Sequence, residues 1–126
     1  MTSSSYHEGL LYLIHLLINA DGVVNSREQL ALFRIKEKEK ISQNVFENFL
    51  EDIKIKKPRE VYQEGIEKIN ACSDKEKLRA FVHLYKLSQV DGSVHVKEVR
   101  LLLYSIKMAN VEFDDVVAEA AKQKDF

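Results

Sequence analysis

The sequence is poor in the residues that mark specialised chemistry. Among its 126 residues there are one cysteine, one proline, four glycines and no tryptophan. The single cysteine, Cys72, cannot form an internal disulfide, which favours a reducing compartment, so we expect a cytoplasmic protein. The glycines lie far apart in the sequence, and this spacing argues against a glycine-rich phosphate-binding loop.

An excess of charge of one sign is also lacking. The chain carries 19 basic and 20 acidic side chains, interspersed along its length, for a formal net charge of -1. Such a balance creates no overall field that would gather nucleic acid, and we expect none to bind.

Long hydrophobic runs are missing as well. The apolar stretch at residues 10–20 is interrupted by His15 and Asn19 and is too short to span a bilayer. Residues 1–8 contain no lysine or arginine, so the start of the chain does not look like a signal peptide. We therefore expect no direct insertion into a membrane.

What the chain does contain is typical of a folded domain. Apolar residues make up 45% and charged residues 31%, which suits a single globular domain over residues 1–126. A chain of this length buries about two thirds of its unfolded surface.

Apolar residues recur at helical spacing along almost the whole chain, and no segment alternates with period two for long enough to predict a strand. Pro58 suits a first helical turn, and Ser73 with Glu76 forms the pattern of a capping box, as does Asn25 with Glu28. These signals predict an all-α bundle of about seven helices. Their predicted spans are 5–19, 26–39, 43–54, 59–70, 74–89, 96–108 and 113–123.

Two charge-rich segments could be read as binding sites. Residues 36–40 alternate lysine and glutamate at the end of a predicted helix, and we expect a solvated face there. Lys54, Lys56, Lys57 and Arg59 form a basic cluster around the proline. An acidic partner could dock on this cluster, although a solvated connector between two halves is the favoured interpretation.

An internal repeat appears when the sequence is shifted by 70 residues. The segment DGVVNSRE at residues 21–28 then lies over DGSVHVKE at residues 91–98, with Asp, Gly, Val and Glu coinciding. Apolar positions also coincide on both sides of the motif. The matched pairs are Leu11 with Phe81, Ile14 with Leu84, Leu17 with Leu87, Leu32 with Leu102, Phe33 with Leu103, Ile41 with Val111, and Phe46 with Val116. We predict two pseudo-repeats, at about residues 8–54 and 76–123.

Each motif lies between the end of one predicted helix and the start of the next, which gives its residues structural roles. The two glycines, Gly22 and Gly92, can adopt positive φ at a helix exit. The aspartates can bond backbone donors in the turn, and the glutamates fall where the helix dipole favours a carboxylate. Val24 and Val94 are expected to anchor the loops in the core.

The paired motifs resemble those of the TerB tellurite-resistance family, in which an apolar helix ends in Ala-Asp-Gly and a glutamate begins the next helix. The resemblance covers about residues 8–120. It implies a helical stress-response protein with a divalent-cation site, whose candidate ligands here are Asp21, Glu28, Asp91 and Glu98. Calcium or magnesium prefers such oxygen ligands and would neutralise four mutually repelling carboxylates. Similar domains accompany J-domains in membrane-associated co-chaperones, which implies protein partners, some of them at membranes.

Arg27 and Lys97 stand beside the two glutamates where family members often carry further acids, and they reduce the negative potential of the predicted site. The leading hypothesis is a non-enzymatic binding module with a cation site. The alternative is a helical protein–protein interaction adaptor in which the four carboxylates serve only as caps. An enzyme is the least favoured class, because neither Cys72 nor the four histidines stand in a catalytic or metal-ligand pattern. The sequence makes no prediction about oligomeric state.

Overall fold

The computed structural model describes residues 4–19, 26–88 and 96–122. Within these residues the chain forms seven α-helices and no strand, so the all-α prediction is confirmed. The helix ends that lie inside these ranges are within one residue of their predicted positions. The helices are α1 (Ser4–Ile18), α2 (Ser26–Lys38), α3 (Gln43–Ile55), α4 (Pro58–Asn70), α5 (Asp74–Ser88), α6 (Val96–Met108) and α7 (Phe113–Lys122).

Local capping explains why α4 and α5 begin where they do. Pro58 is the first residue of α4, where a missing backbone N–H costs nothing. Before α5, the Glu76 amide donates to Ser73 Oγ at 3.2 Å, and the Ser73 amide donates to Glu76 Oε1 at 3.2 Å. The predicted capping box at Ser73 is therefore confirmed.

Helices α2 and α6 end in the same way. Lys40 and Asn110 adopt left-handed φ values of 55° and 57°. The amide of the following residue donates to the carbonyl five residues back, at 3.0 Å in the first turn and 3.1 Å in the second. This is the Schellman arrangement, which satisfies carbonyl groups that a helix end leaves open.

The bounds of the helices follow the predicted offset. Helices α2 and α6 end at residues 38 and 108, and α3 and α7 begin at residues 43 and 113. Burial follows the same register: Leu11 and Phe81 are both buried, whereas Phe33 and Leu103 are both exposed. These two pairs keep the same burial across the offset, and duplication of the chain itself stays a prediction.

Helix α1 lies at the centre of the bundle and contacts α3, α4, α5 and α6. Its middle turns are apolar on nearly all sides, and Leu10, Leu11 and Ile14 are completely buried. A helix with this pattern must be covered by neighbours on most of its surface. Among the described residues, no helix is both long enough and apolar enough to cross a membrane.

The contact between α1 and α4 depends on glycine. A Cβ added at Gly9 would lie 2.9 Å from Ile69 Cγ1 and 3.1 Å from the backbone oxygen of Gly65. A Cβ added at Gly65 would lie 3.1 Å from Tyr12 Cβ. The two helix backbones therefore approach closely where these glycines face the partner helix.

Candidate functional site

The predicted cation ligands fall at two helix junctions. Asp21 and Asp91 lie outside the described residues. Glu28 and Glu98 lie within α2 and α6, but their side chains are not among those that the structure describes. The cation site therefore stays a prediction.

Other residues of the two motifs that received local roles lie outside the described residues too: Gly22, Val24, Asn25, Gly92 and Val94. In residues 4–19, 26–88 and 96–122, no three histidine, cysteine, aspartate or glutamate side chains are arranged to hold a metal ion.

A buried polar cluster lies where α1, α5 and the end of α2 meet. Glu39 Oε2 accepts hydrogen bonds from Tyr6 OH at 2.7 Å, Arg79 Nε at 2.9 Å and His83 Nε2 at 2.8 Å. We call Tyr6, Glu39, Arg79 and His83 the Glu39 cluster. The Glu39 side chain is only 7% exposed and that of His83 only 3%. Arg79 also lies over the Tyr6 ring, 4.8 Å from its centroid.

The electrostatics of this cluster favour an ionised carboxylate. Burial by itself would raise the pKa of Glu39, but hydrogen bonds from His83 and Tyr6, with the charges of His83 and Arg79, lower this pKa to about 2. Burial and the bond to the carboxylate raise the pKa of the Tyr6 hydroxyl. The cluster is thus a charge-assisted network that joins three segments of the chain.

His7 lies beside this network. It is 9% exposed, and its Nε2 atom is buried without a hydrogen-bond partner among the described residues. Burial lowers the pKa of His7, in opposition to the attraction of the nearby Glu39 carboxylate. A neutral imidazole is therefore favoured at this position.

The position of Glu39 corrects the sequence analysis. Residues 36–40 were expected to form a solvated face, and Glu37 and Lys38 are indeed exposed. The expectation is wrong for Glu39, because the Schellman turn at Lys40 leaves this carboxylate facing α1 and α5. The alternating charges gave no signal that one of them was buried. A weak sign of a buried polar contact was present in α1 and α5. Tyr6, Arg79 and His83 place polar groups among the apolar residues of these helices.

A second polar group joins α1, α3 and α4. Tyr12 OH donates to Asp52 Oδ2 at 2.8 Å, and Lys56 Nζ donates to the same hydroxyl at 3.3 Å. Lys56 also pairs with Glu64 at 2.6 Å, and its side chain is 23% exposed. The hydrogen bond to Glu64, which outweighs desolvation, raises the pKa of Lys56. Lys56 thus fastens the α3–α4 connector to α1, and an acidic partner could not engage it without breaking these contacts.

The surface carries several exposed apolar side chains, and α6 has the densest group. Leu103, Tyr104 and Met108 are 45%, 54% and 45% exposed. They share an exposed face with Arg100 and Lys107, and we call these five residues the α6 surface. Beside it lies an open depression of about 400 Å³ between α6 and the start of α7. Its lining includes Leu103, Ile106, Lys107, Val111, Glu112 and Phe113.

Comparison with known proteins adds no relative. Family models, curated proteins and solved structures all gave no match to this chain. The function is therefore argued from the residues and their positions.

Proposed function

We propose that this protein is a TerB-like stress-response protein, a cytoplasmic and non-enzymatic binding module. It acts through protein partners, including membrane-associated ones, and coordinates a divalent cation such as calcium or magnesium. The ligands in this proposal are Asp21, Glu28, Asp91 and Glu98.

One observation carries the proposal. Glu28 and Glu98 lie within α2 and α6, each seven residues after the aspartate of its motif. Helices α2 and α6 end at residues 38 and 108, and α3 and α7 begin at residues 43 and 113; this agreement at one offset supports two equivalent helix junctions, each with one aspartate and one glutamate. The positive end of a helix dipole stabilises a carboxylate in its charged form, and charged carboxylate oxygens are the ligands that calcium and magnesium prefer.

A second candidate function is a helical protein–protein interaction adaptor with no metal site. The α6 surface favours it, because apolar side chains that are about half exposed are characteristic of surfaces that bind another protein. Both candidates require protein partners, and they differ in the role of the four carboxylates.

The non-enzymatic part of the proposal is supported by the state of the Glu39 cluster. A carboxylate beside an imidazole is the usual basis of acid–base catalysis. Here the Glu39 oxygen already accepts three side-chain donors and is almost fully buried. Such a group is better suited to joining helices than to exchanging protons with a substrate.

Thermal unfolding with and without calcium, magnesium, manganese or zinc tests the cation site. A cation that binds only the folded chain stabilises it by about 2.7 kcal/mol at a concentration of 100 times its Kd, and it raises the Tm accordingly. We expect Asp21→Asn with Asp91→Asn to abolish the rise. The matched control is Asp74→Asn with Asp114→Asn, which removes two exposed first-turn aspartates and the same charge.

Three outcomes discriminate the proposals. A rise in Tm that the control retains and the motif variant loses supports the cation site. No rise with any of the four cations removes the cation site and leaves the adaptor. Loss of the fold in the motif variant without added cation assigns the two aspartates a structural capping role.

A further inference from the structure

The α6 surface has an ordered arrangement of charge and apolar area. Successive residues of an α-helix are rotated by about 100°, which arranges the five side chains across the face in the order Leu103, Lys107, Arg100, Tyr104, Met108. All five are exposed, whereas Leu102, Ser105, Ile106 and Ala109 on the opposite side are buried. Two cations therefore run along the centre of the face, with apolar side chains on both flanks.

The two central cations are available to a partner. Neither Arg100 nor Lys107 forms an ion pair with any residue that the structure describes. Helix α6 carries three basic residues and one acidic residue, Glu98. One carboxylate, Glu112, lines the depression at the edge of the surface. The central strip is thus positive and lacks internal compensation within the described part of the chain.

Each apolar flank lies beside a neighbouring helix. On one side, Leu103 and Phe113 line the depression of about 400 Å³, together with Ile106 and Val111. On the other side, the Tyr104 ring packs against the Tyr62 ring of α4 with centroids 5.8 Å apart. An exposed aromatic ring that already packs against a neighbour is a usual anchor of a binding interface, because little of its motion remains to be lost.

We propose that the α6 surface binds an acidic amphipathic helix of a partner protein. This inference rests on the proposed function in one respect, that the protein acts through protein partners. Carboxylates along the centre of the partner helix would pair with Arg100 and Lys107. Apolar side chains on either side would contact Tyr104 and Met108 and enter the depression beside Leu103.

The dimensions of the surface fit this occupant. Residues 100–108 span about 12 Å along the helix axis, which corresponds to about two turns of a partner helix. Helix-in-groove binding uses anchors at one-turn spacing, and the depression supplies a recess for one of them. A membrane would instead require a convex apolar face with its cations at the edges, as in interfacial helices, whereas here the cations occupy the centre.

The experiment is a titration of the ¹⁵N-labelled full chain with two synthetic helical peptides. Both peptides have two rows of leucines, each at one-turn spacing, on either side of a central row on the same helix face. The central row is glutamate in one peptide and lysine in the other. We expect the acidic peptide to shift the amide resonances of α6 and of Phe113. We expect the basic peptide to bind at least about tenfold more weakly.

Two double variants keep the test specific. Arg100→Glu with Lys107→Glu should reverse the preference so that the basic peptide binds better. The matched control, Arg34→Glu with Lys75→Glu, changes the same net charge at exposed positions on α2 and α5 and should retain the original preference. Unchanged thermal unfolding of both variants establishes that the fold is intact.

Several results would overturn the inference. These are equal affinity for the two peptides, resonance shifts confined to other helices, or no shift at about 1 mM acidic peptide. Concentration-dependent self-association through α6 would assign the surface to a second copy of the chain, and binding only to vesicles of anionic lipid would assign it to a membrane. Loss of peptide binding with a persistent cation-induced rise in Tm would remove this inference and leave the proposed function.

Discussion

The ends of α2 and α6 share one backbone turn and have different side-chain surroundings. Both turns place a left-handed residue two positions after the helix and make the same pair of backbone hydrogen bonds. The residue before the left-handed position is Glu39 in the first turn and the completely buried Ala109 in the second. The backbone turn is thus a local property of each segment, whereas the polar network at Glu39 requires donors from α1 and α5.

A second difference between the halves concerns α1 and α5. At the 70-residue offset, Gly9 of α1 corresponds to Arg79 of α5. Gly9 permits the close approach of α4, and α4 packs mainly on α1. Arg79 instead carries a long side chain that reaches the Glu39 carboxylate. The connecting helix therefore breaks the equivalence of the two halves, and the side chains at this position differ accordingly.

The largest effect is expected from Glu39→Ala, which would make the first helix end resemble the second. Removing the carboxylate leaves the donors of Tyr6, Arg79 and His83 without their shared acceptor. We expect a loss of about 3 kcal/mol in the free energy of unfolding, measured by urea denaturation. The control Glu37→Ala removes an exposed carboxylate of the same segment and should change stability by less than about 0.5 kcal/mol. Equal effects of the two variants would show that the Glu39 cluster contributes little.

The pH dependence of the unfolding free energy gives a second test of Glu39, the residue that distinguishes the first helix end from the second. The folded pKa of Glu39 is about 2, below its ordinary value of 4.5, so its contribution is complete above pH 4.5 and is lost as the pH falls from 4.5 towards 2. One such group contributes a slope of up to about 1.4 kcal/mol per pH unit in this window. We expect Glu39→Gln to reduce the slope of unfolding free energy against pH by this amount. Parallel curves for the two proteins would contradict the assignment.

The substitution Gly9→Ala tests the difference between α1 and α5. In Gly9→Ala the new methyl group would meet Ile69 and the Gly65 carbonyl, at an overpacking cost of about 2 kcal/mol. Better helix propensity offsets about 1 kcal/mol, so we expect a net loss of about 1 kcal/mol. The cost should shrink in an Ile69→Val background, which removes the Cδ1 atom that lies 3.1 Å from the added methyl. A cost that is the same in both backgrounds would place the strain elsewhere.

The smallest effects distinguish the two left-handed residues. Lys40→Gly removes a Cβ that makes the positive φ at this position unfavourable, and we expect it to raise the free energy of unfolding by about 0.5–1 kcal/mol. Asn110→Gly should change stability by only a few tenths of a kcal/mol, roughly, because asparagine tolerates this conformation. Thermal unfolding of both variants measures the difference. A larger gain at Asn110 than at Lys40 would contradict this interpretation of the two turns.

The helices could be predicted closely because their signals are local. The capping box joins Ser73 and Glu76, which are three residues apart, and Pro58 acts at the helix position that it occupies. The sequence therefore shows every residue that these two signals need. The Glu39 cluster could not be predicted in this way. Its three hydrogen bonds to Glu39 join residues that are 33, 40 and 44 positions apart, and Glu39 stands in a run of charges that resembles a solvated surface.

The candidate sites also differ in whether they depend on local or on distant residues. Glu28 and Glu98 could be assigned to helices from the sequence, and both lie within α2 and α6. The α6 surface was not predicted, since Leu103 appeared in the sequence only as one of the apolar positions that repeat at 70 residues. Its exposure depends on which side of α6 meets α1 and α5, and that choice is made by packing.

The sequence by itself determined where the seven helices begin and end and the 70-residue register of the apolar positions, because capping and periodicity act over a few residues. Only the tertiary structure decided which charged and apolar side chains are covered. The burial of Glu39 and the exposure of Leu103, Tyr104 and Met108 result from the angles at which whole helices meet. Those angles depend on contacts between distant parts of the chain, such as the approach of Gly9 to Gly65.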